Sequence, residues 1–170
     1  MTHRSIHSRF RNRLWGSVLS GALVLPAMAV GGVALLNPSI ADAAITTASC
    51  RIHAVEVSPE GDGTIPAELD FLRDQLQAPE FARYKSFVLL DAKDFKLEVG
   101  KPLEHKFKTG HGVNLSLLGG EADKLELHTE LTRNGTSLVN MDFSLRSKQI
   151  MLIPVRRGDS AVIFAYQCKS

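Results

Sequence analysis

Beyond residue 43 the chain has no tryptophan and no excess of either charge. Its one tryptophan, Trp15, lies in the N-terminal segment. That segment also holds four arginines and Asp42, which leaves 16 of the chain's 20 basic residues and 17 of its 18 acidic ones, a net charge of −1. This balance predicts neither the electrostatic footprint of a nucleic-acid-binding protein nor the polybasic patch of a membrane-surface protein. A carbohydrate-binding module, one alternative, would have only Tyr84 or Tyr166 for stacking sugars.

The sequence also lacks the motifs of hydrolytic, metal and nucleotide chemistry. It contains no G-x-S-x-G and no H-E-x-x-H, and no helical pattern follows Gly110-His111-Gly112 as a phosphate-binding loop requires. Glu60 and Asp62 lie beside glycines, but the other ligands of a calcium loop are missing. These absences predict no cofactor and favour a non-catalytic protein over an enzyme.

Residues 1–43 have the order of a secretory signal peptide. A basic stretch without acidic residues comes first, an apolar stretch runs from Leu14 to Leu36, and Ala41-Asp42-Ala43 offers an A-x-A cleavage site before Ala44. We therefore expect one mature domain, residues 44–170, that is periplasmic or secreted. The alternative is an uncleaved anchor, because the apolar stretch is about as long as a membrane-spanning helix, roughly 20 residues.

Two cysteines, Cys50 and Cys168, lie near the two ends of the predicted mature domain. In an oxidising compartment such a pair predicts one disulfide bond. The bond would close a loop of roughly 119 residues, for which the chain-entropy model gives about 4–5 kcal/mol of stabilisation. The alternative is lipidation of Cys50, which follows the small residues Thr47-Ala48-Ser49 and would attach the protein to a membrane.

Most of the domain alternates between apolar and polar residues. A first strand is predicted from Cys50 to Val57, and further strands follow from about residue 86 onward. The Asn134-Gly135 dipeptide is a strong hairpin signal. Seven to eight amphipathic strands with turns between them predict a mainly-β domain, either an antiparallel β-sandwich or an open barrel.

One helix is predicted near the N-terminus of this domain, over about residues 65–77. Four apolar residues with helical spacing share one face, namely Ile65, Leu69, Leu72 and Leu76. Thr64 is the predicted capping residue, Pro66 suits the first turn, and Ala78-Pro79 ends the helix.

Three histidines are candidates for metal binding or acid–base chemistry. His105 and His111 are weak candidates for metal ligands, because no third ligand stands at a suitable spacing. His128 shares a strand face with Glu126 and Glu130, which suits acid–base work but is also usual on the wet face of an amphipathic strand. A metal-binding or hydrolytic enzyme that uses His105, His111 and His128 thus stays an alternative, and we predict no metal site.

Phe81, Tyr84 and Phe87 form a possible partner-binding patch. Their spacing suits core packing between the helix and the sheet equally well, and this second interpretation is the favoured one.

The segment from Phe81 to Leu90, the alternation from Phe95 to Pro102 and from Val113 to Leu117, and the Asn134-Gly135 hairpin resemble a group of small exported proteins of Gram-negative bacteria, myxobacteria and their relatives. In that group a helix and an F-x-x-Y segment precede a run of strands. The last two strands depart from the group's glycine-rich turns. The resemblance implies a fold and an extracytoplasmic location but no activity.

The function predicted from these features is that of an exported, non-catalytic binding or scaffold module of the periplasm or cell envelope. Its expected partner is another envelope or secreted protein, and no nucleic acid is expected. Membrane association is expected only if the signal segment stays uncleaved or Cys50 is lipidated. The sequence does not specify the ligand.

Overall fold

Eight strands account for most of the chain that the structure describes. The computed structural model describes residues 44–170, and the predicted signal peptide and anchor lie outside them. The strands are β1 (Thr47–Ser58), β2 (Ser86–Glu98), β3 (Leu103–Lys106), β4 (His111–Glu121), β5 (Lys124–Arg133), β6 (Thr136–Arg146), β7 (Ile150–Arg157) and β8 (Ser160–Lys169). The predicted mainly-β class is confirmed.

The strands form two four-stranded antiparallel sheets. The first sheet has the order β2-β1-β8-β7, and the second has the order β3-β4-β5-β6. Asn134 and Gly135, which join β5 to β6, both have positive φ, as a primed turn requires. Of the two predicted architectures, the described residues adopt the sandwich-like one, and the strands do not close into a barrel.

A shared core lies between the inner faces of the two sheets. Alternate residues of the first sheet, such as Ile52 and Phe164, pack with alternate residues of the second, such as Leu115 and Leu127. All four are fully buried. Burial of apolar side chains at every second position explains why the period-two pattern predicted the strands.

The helix prediction was correct for the buried face and wrong for the helix itself. A 3-10 helix at Ala67–Leu72 and a single α-helical turn α1 at Arg73–Leu76 replace the continuous helix predicted over about residues 65–77, and a separate 3-10 turn follows at Pro79–Phe81. This segment lies between β1 and β2, so it is not N-terminal in the domain. The four apolar residues of the predicted face, Ile65, Leu69, Leu72 and Leu76, are all buried.

The predicted cap of that helix is also wrong. The N-cap position is Pro66, which has no side chain to accept a hydrogen bond. Thr64 instead donates its backbone N–H to Oδ1 of Asp62, 2.8 Å away, in a turn before the helical segment. A segment this short is stabilised by its packing on the sheet and not by helix propensity.

The helical segment builds a second apolar cluster on the outer side of the first sheet. Leu69 and Leu72 pack there against Val57 and Ile163. The middle of β8 is consequently buried on both faces, from Ala161 to Tyr166. β8 therefore departs from the predicted amphipathic pattern, because it has no wet face over these residues.

The predicted disulfide bond is confirmed. Cys50 and Cys168 are directly opposed in the pairing of β1 with β8, and their sulfurs are bonded. The bond excludes the predicted alternative of a lipidated Cys50 in this state of the protein. It joins the first and last strands at the core side of the first sheet.

Within residues 44–170, none of the helices has the length and apolar character needed to span a membrane.

Candidate functional site

The outer face of the second sheet is open to solvent along its strands in the described chain. Its strands alternate buried and exposed residues, because no helical segment covers this side. Polar side chains stand on it in rows that follow the register of the strands. One row crosses all four strands and consists of Glu104, Asn114, Glu130 and Asn140.

In this row an amide separates two carboxylates. Asn114 is paired with Glu104 on β3 and with Glu130 on β5, and opposed Cβ atoms in such pairs are about 5 Å apart. Nδ2 of Asn114 donates to Oε1 of Glu104 at 3.4 Å. Oδ1 of Asn114 is buried and has no hydrogen-bond partner among the described residues. An acceptor of this kind can be satisfied by the donor of a ligand.

A groove of 420 Å³ lies over this row. Its charged lining consists of Glu104, Glu130 and Lys106. On the floor of the groove, β4 has glycine at position 112, so no side chain rises from the strand there. A Cβ atom at this position would come within 2.6 Å of Oγ1 of Thr132. The groove is thus acidic, with backbone exposed on its floor.

A second row on the same face brings together Ser116, His128 and Asp142. Each residue is directly opposed to the next across β4, β5 and β6. Nδ1 of His128 lies 2.6 Å from Oδ1 of Asp142. The sequence placed His128 beside Glu126 and Glu130, which do share its face, but it gave no sign of the closer partner Asp142. The pairing of His128 with Asp142 depends on the register of the hairpin between β5 and β6, which the sequence interpretation did not assign.

His105 and His111 are not near that row. Both project toward the inner side of the second sheet: His105 packs edge-on against Phe107, with ring centroids 4.9 Å apart, and His111 packs against Phe164 at 5.3 Å. His128 lies on the opposite face. The three histidines of the predicted enzyme alternative therefore do not converge on one site. Within residues 44–170 no group of three or more His, Cys, Asp or Glu side chains is arranged to hold a metal ion.

His111 is a fully buried imidazole at one end of the core. Its Nδ1 lies 2.9 Å from Oγ1 of Thr109, and its Nε2 has no partner among the described residues. Burial lowers the pKa of His111 below its ordinary value, and the positive charges of Arg133 and Arg157 lower it further. Both effects disfavour the charged form of this side chain.

His53, which the sequence interpretation passed over, is a second buried imidazole. It lies under the helical segment against Phe71, with ring centroids 4.4 Å apart. Burial lowers the pKa of His53, and the charge of Arg51 adds to this, although the Ala165 carbonyl and Asp94 act in the opposite direction.

The aromatic residues of the possible partner patch lie in the interior. Phe81, Tyr84 and Phe87 are all less than a tenth exposed and belong to the apolar cluster under the helical segment. This is the position that the core-packing interpretation predicts. Tyr84 and Tyr166, the two tyrosines left for sugar stacking, are both buried, so neither presents a ring face to solvent.

Comparison with known proteins identifies no relative of this chain. No protein-family model matches the chain, and neither a curated protein nor a solved structure matches it. The resemblance to small exported proteins of Gram-negative bacteria stays a prediction.

Proposed function

We propose that the chain is an exported protein of the periplasm or cell envelope, and that its domain of residues 44–170 is a non-catalytic binding module. The disulfide between Cys50 and Cys168 supports an oxidising compartment, because cytosolic thiols are kept reduced. The order of residues 1–43 supports export.

The observation that carries the binding role is the acidic groove on the outer face of the second sheet. Glu104 and Glu130 stand on either side of Asn114 above a floor of glycine backbone. Carboxylates and an unpartnered amide oxygen are all acceptors, so they suit a partner that brings donors and positive charge. The partner in this proposal is a lysine- or arginine-rich extended segment of another exported protein.

Removal of the two carboxylates tests this role. The probe is a fluorescently labelled, lysine-rich extended peptide, and the measurement is its anisotropy on titration with the exported, disulfide-bonded protein. The Glu104→Gln/Glu130→Gln variant should bind the peptide several-fold to about tenfold more weakly, since rim charge pairs contribute about 0.2–1 kcal/mol each. The difference should shrink in high salt.

The matched control is Glu60→Gln/Glu68→Gln, which makes the same charge change at exposed positions away from the groove. This control should bind like the wild type. Equal loss in both variants would show that only net charge matters, and the proposed groove would then be ruled out.

Ester or amide hydrolysis is a second candidate, favoured by the row of Ser116, His128 and Asp142. A carboxylate that orients a histidine beside a serine is the arrangement of a nucleophilic hydrolase. Asp142 is 71% exposed, however, so its charge is solvated. The candidate requires turnover of an ester or amide substrate that Ser116→Ala abolishes. A substrate panel without turnover, or turnover that survives this change, excludes it.

A further inference from the structure

Half of the outer face of the first sheet is open, at the end where the described chain begins. The helical segment covers the other half, which carries His53 and Val55. Beyond that cover, the pairing of the strands places Lys96, Ser49 and Lys169 side by side in one row across β2, β1 and β8. Opposed Cβ atoms are about 5 Å apart, so the two lysines flank the short serine side chain.

These three residues line a cleft of 780 Å³ that has four cations and one carboxylate. The carboxylate, Asp94, is held by Arg51, whose Nε lies 3.1 Å from Oδ1. The other cations are Lys96, Lys169 and Lys148, the last from the turn between β6 and β7. Within residues 44–170 these three lysines form no ion pair. Three exposed ammonium groups thus share one cleft with a single carboxylate that is already paired with Arg51, on a domain whose net charge is −1.

The cleft also lies beside the point where residues 1–43 join the domain. β1 begins at Thr47, two residues before Ser49 in the row of lysines. Seven residues separate Leu36, the end of the apolar stretch, from Ala44, and they span at most about 25 Å when extended. In the alternative of an uncleaved anchor, this linker would keep Ala44 within about 25 Å of the end of the apolar stretch.

We propose that this cleft docks the domain on the surface of an anionic lipid bilayer, with Lys96, Lys148 and Lys169 bound to headgroup phosphates. Lysine binds phosphate as a point charge, and each lysine near an anionic surface raises the affinity about fivefold. The opposite sheet is less suited, because the groove on its outer face carries Glu104 and Glu130, which an anionic surface repels. Docking through the first sheet turns the acidic groove away from the lipid. The inference rests on the proposed export, but not on peptide binding by the groove.

Sedimentation with lipid vesicles tests the proposal. The exported, disulfide-bonded protein is mixed with vesicles of phosphatidylcholine alone or with vesicles in which a third of the lipid is phosphatidylglycerol. It should sediment with the anionic vesicles only, and less so in high salt. The variant Lys96→Gln/Lys148→Gln/Lys169→Gln should lose roughly 100-fold in apparent affinity, or all measurable binding.

The matched control is Lys85→Gln/Lys108→Gln/Arg156→Gln, which removes three exposed charges at the other end of the strands. It should bind within a few-fold of the wild type. Equal loss in the two triple variants would overturn the proposal, and so would equal sedimentation with both kinds of vesicle. Near-ultraviolet circular dichroism confirms that each variant is folded.

A third arm separates a bilayer from a free anion. Inorganic phosphate should displace the protein from anionic vesicles no better than chloride at the same ionic strength. Saturable binding of phosphate that displaces the protein would assign the cleft to a free anion and overturn docking on a bilayer. The groove variant Glu104→Gln/Glu130→Gln should bind vesicles at least as well as the wild type, so the two sites can fail independently.

Discussion

The outer faces of the two sheets differ in what covers them and in their charge. On the first sheet the helical segment buries Val57 and Ile163, and the uncovered end of the face carries Lys96 and Lys169 beside the ion pair of Arg51 and Asp94. On the second sheet no element covers the outer face, which carries the acidic row around Glu130. The same period-two alternation thus gives a second apolar core in one place and an open polar face in another. The tertiary neighbour decides which of the two forms.

Removal of the disulfide, which joins two strands of the first sheet, should produce the largest loss in the free energy of unfolding. In the variant Cys50→Ala/Cys168→Ala, the unfolded chain regains the entropy of a long loop, and the free energy of unfolding should fall by about 4–5 kcal/mol. Urea denaturation of the oxidised wild type and of the variant measures the difference. A loss below about 1 kcal/mol would mean that the unfolded ensemble is already compact, contrary to this expectation.

Truncation of one outward-facing residue on each sheet compares the two faces directly. Ile163 is fully buried under the helical segment, so Ile163→Ala should cost about 2–5 kcal/mol. Ser116 faces outward on the second sheet, and Ser116→Ala should change the free energy of unfolding by no more than about 0.5 kcal/mol. Chemical denaturation measures both. A similar loss in the free energy of unfolding at the two sites would contradict the observation that the helical segment covers only the first sheet.

A buried hydrogen bond between Thr129 and Tyr166 links the two sheets, with its oxygens 2.8 Å apart. Tyr166→Phe leaves the threonine hydroxyl unpaired in the core and should cost about 1–3 kcal/mol. Adding Thr129→Val should recover most of that loss, because neither position then holds an unsatisfied polar group. Unfolding free energies of the two single variants and the double variant test this. Strictly additive losses would show that the bond does not couple the sheets.

The pH dependence of stability should show the smallest effect, from the two buried imidazoles. His53 and His111 have lowered pKa values in the folded state, so the unfolded chain takes up protons at a higher pH than the folded chain does. Stability is therefore fully present above about pH 6.5, the ordinary histidine pKa, and falls as the pH is lowered below it.

Thermal unfolding in a pH series checks this, with His53→Leu/His111→Leu as the comparison. The double variant should lose less stability than the wild type between about pH 7 and pH 5. Between about pH 7 and pH 8.5, where both imidazoles are neutral, the two proteins should show parallel curves. An unchanged slope below pH 6.5 in the double variant would disprove the role of these two groups.

The features that could be predicted from the sequence depend on short-range patterns. Apolar residues at every second position predicted the strands, and Asn134-Gly135 predicted a tight hairpin because both residues adopt positive φ at low cost. A domain with two cysteines allows only one disulfide pairing, so Cys50 and Cys168 predicted their bond. The apolar spacing from Ile65 to Leu76 predicted the buried face but not the helix type, since 3-10 and α turns bury much the same residues over so short a span.

The candidate sites depend on register and could not be read from the chain. Glu104 and Glu130 come from different hairpins, as do Ser116 and Asp142, and only strand pairing places each set in one row. The composition predicted no basic patch because the net charge is near zero. Folding nevertheless gathers three separated lysines in one cleft: pairing with the start of β1 brings Lys96 and Lys169 together, and the turn between β6 and β7 adds Lys148.

By itself, the sequence determined that the domain is built of paired amphipathic strands, because alternation of apolar and polar residues is visible within each short segment. It also determined that the two ends can be joined by a disulfide, because two cysteines allow only one pairing. Only the tertiary structure decided which outward faces are covered and which charges become neighbours. The physical reason is that the helical segment is long enough to cover half of one sheet, and the side chains left uncovered take their surroundings from the register of adjacent strands.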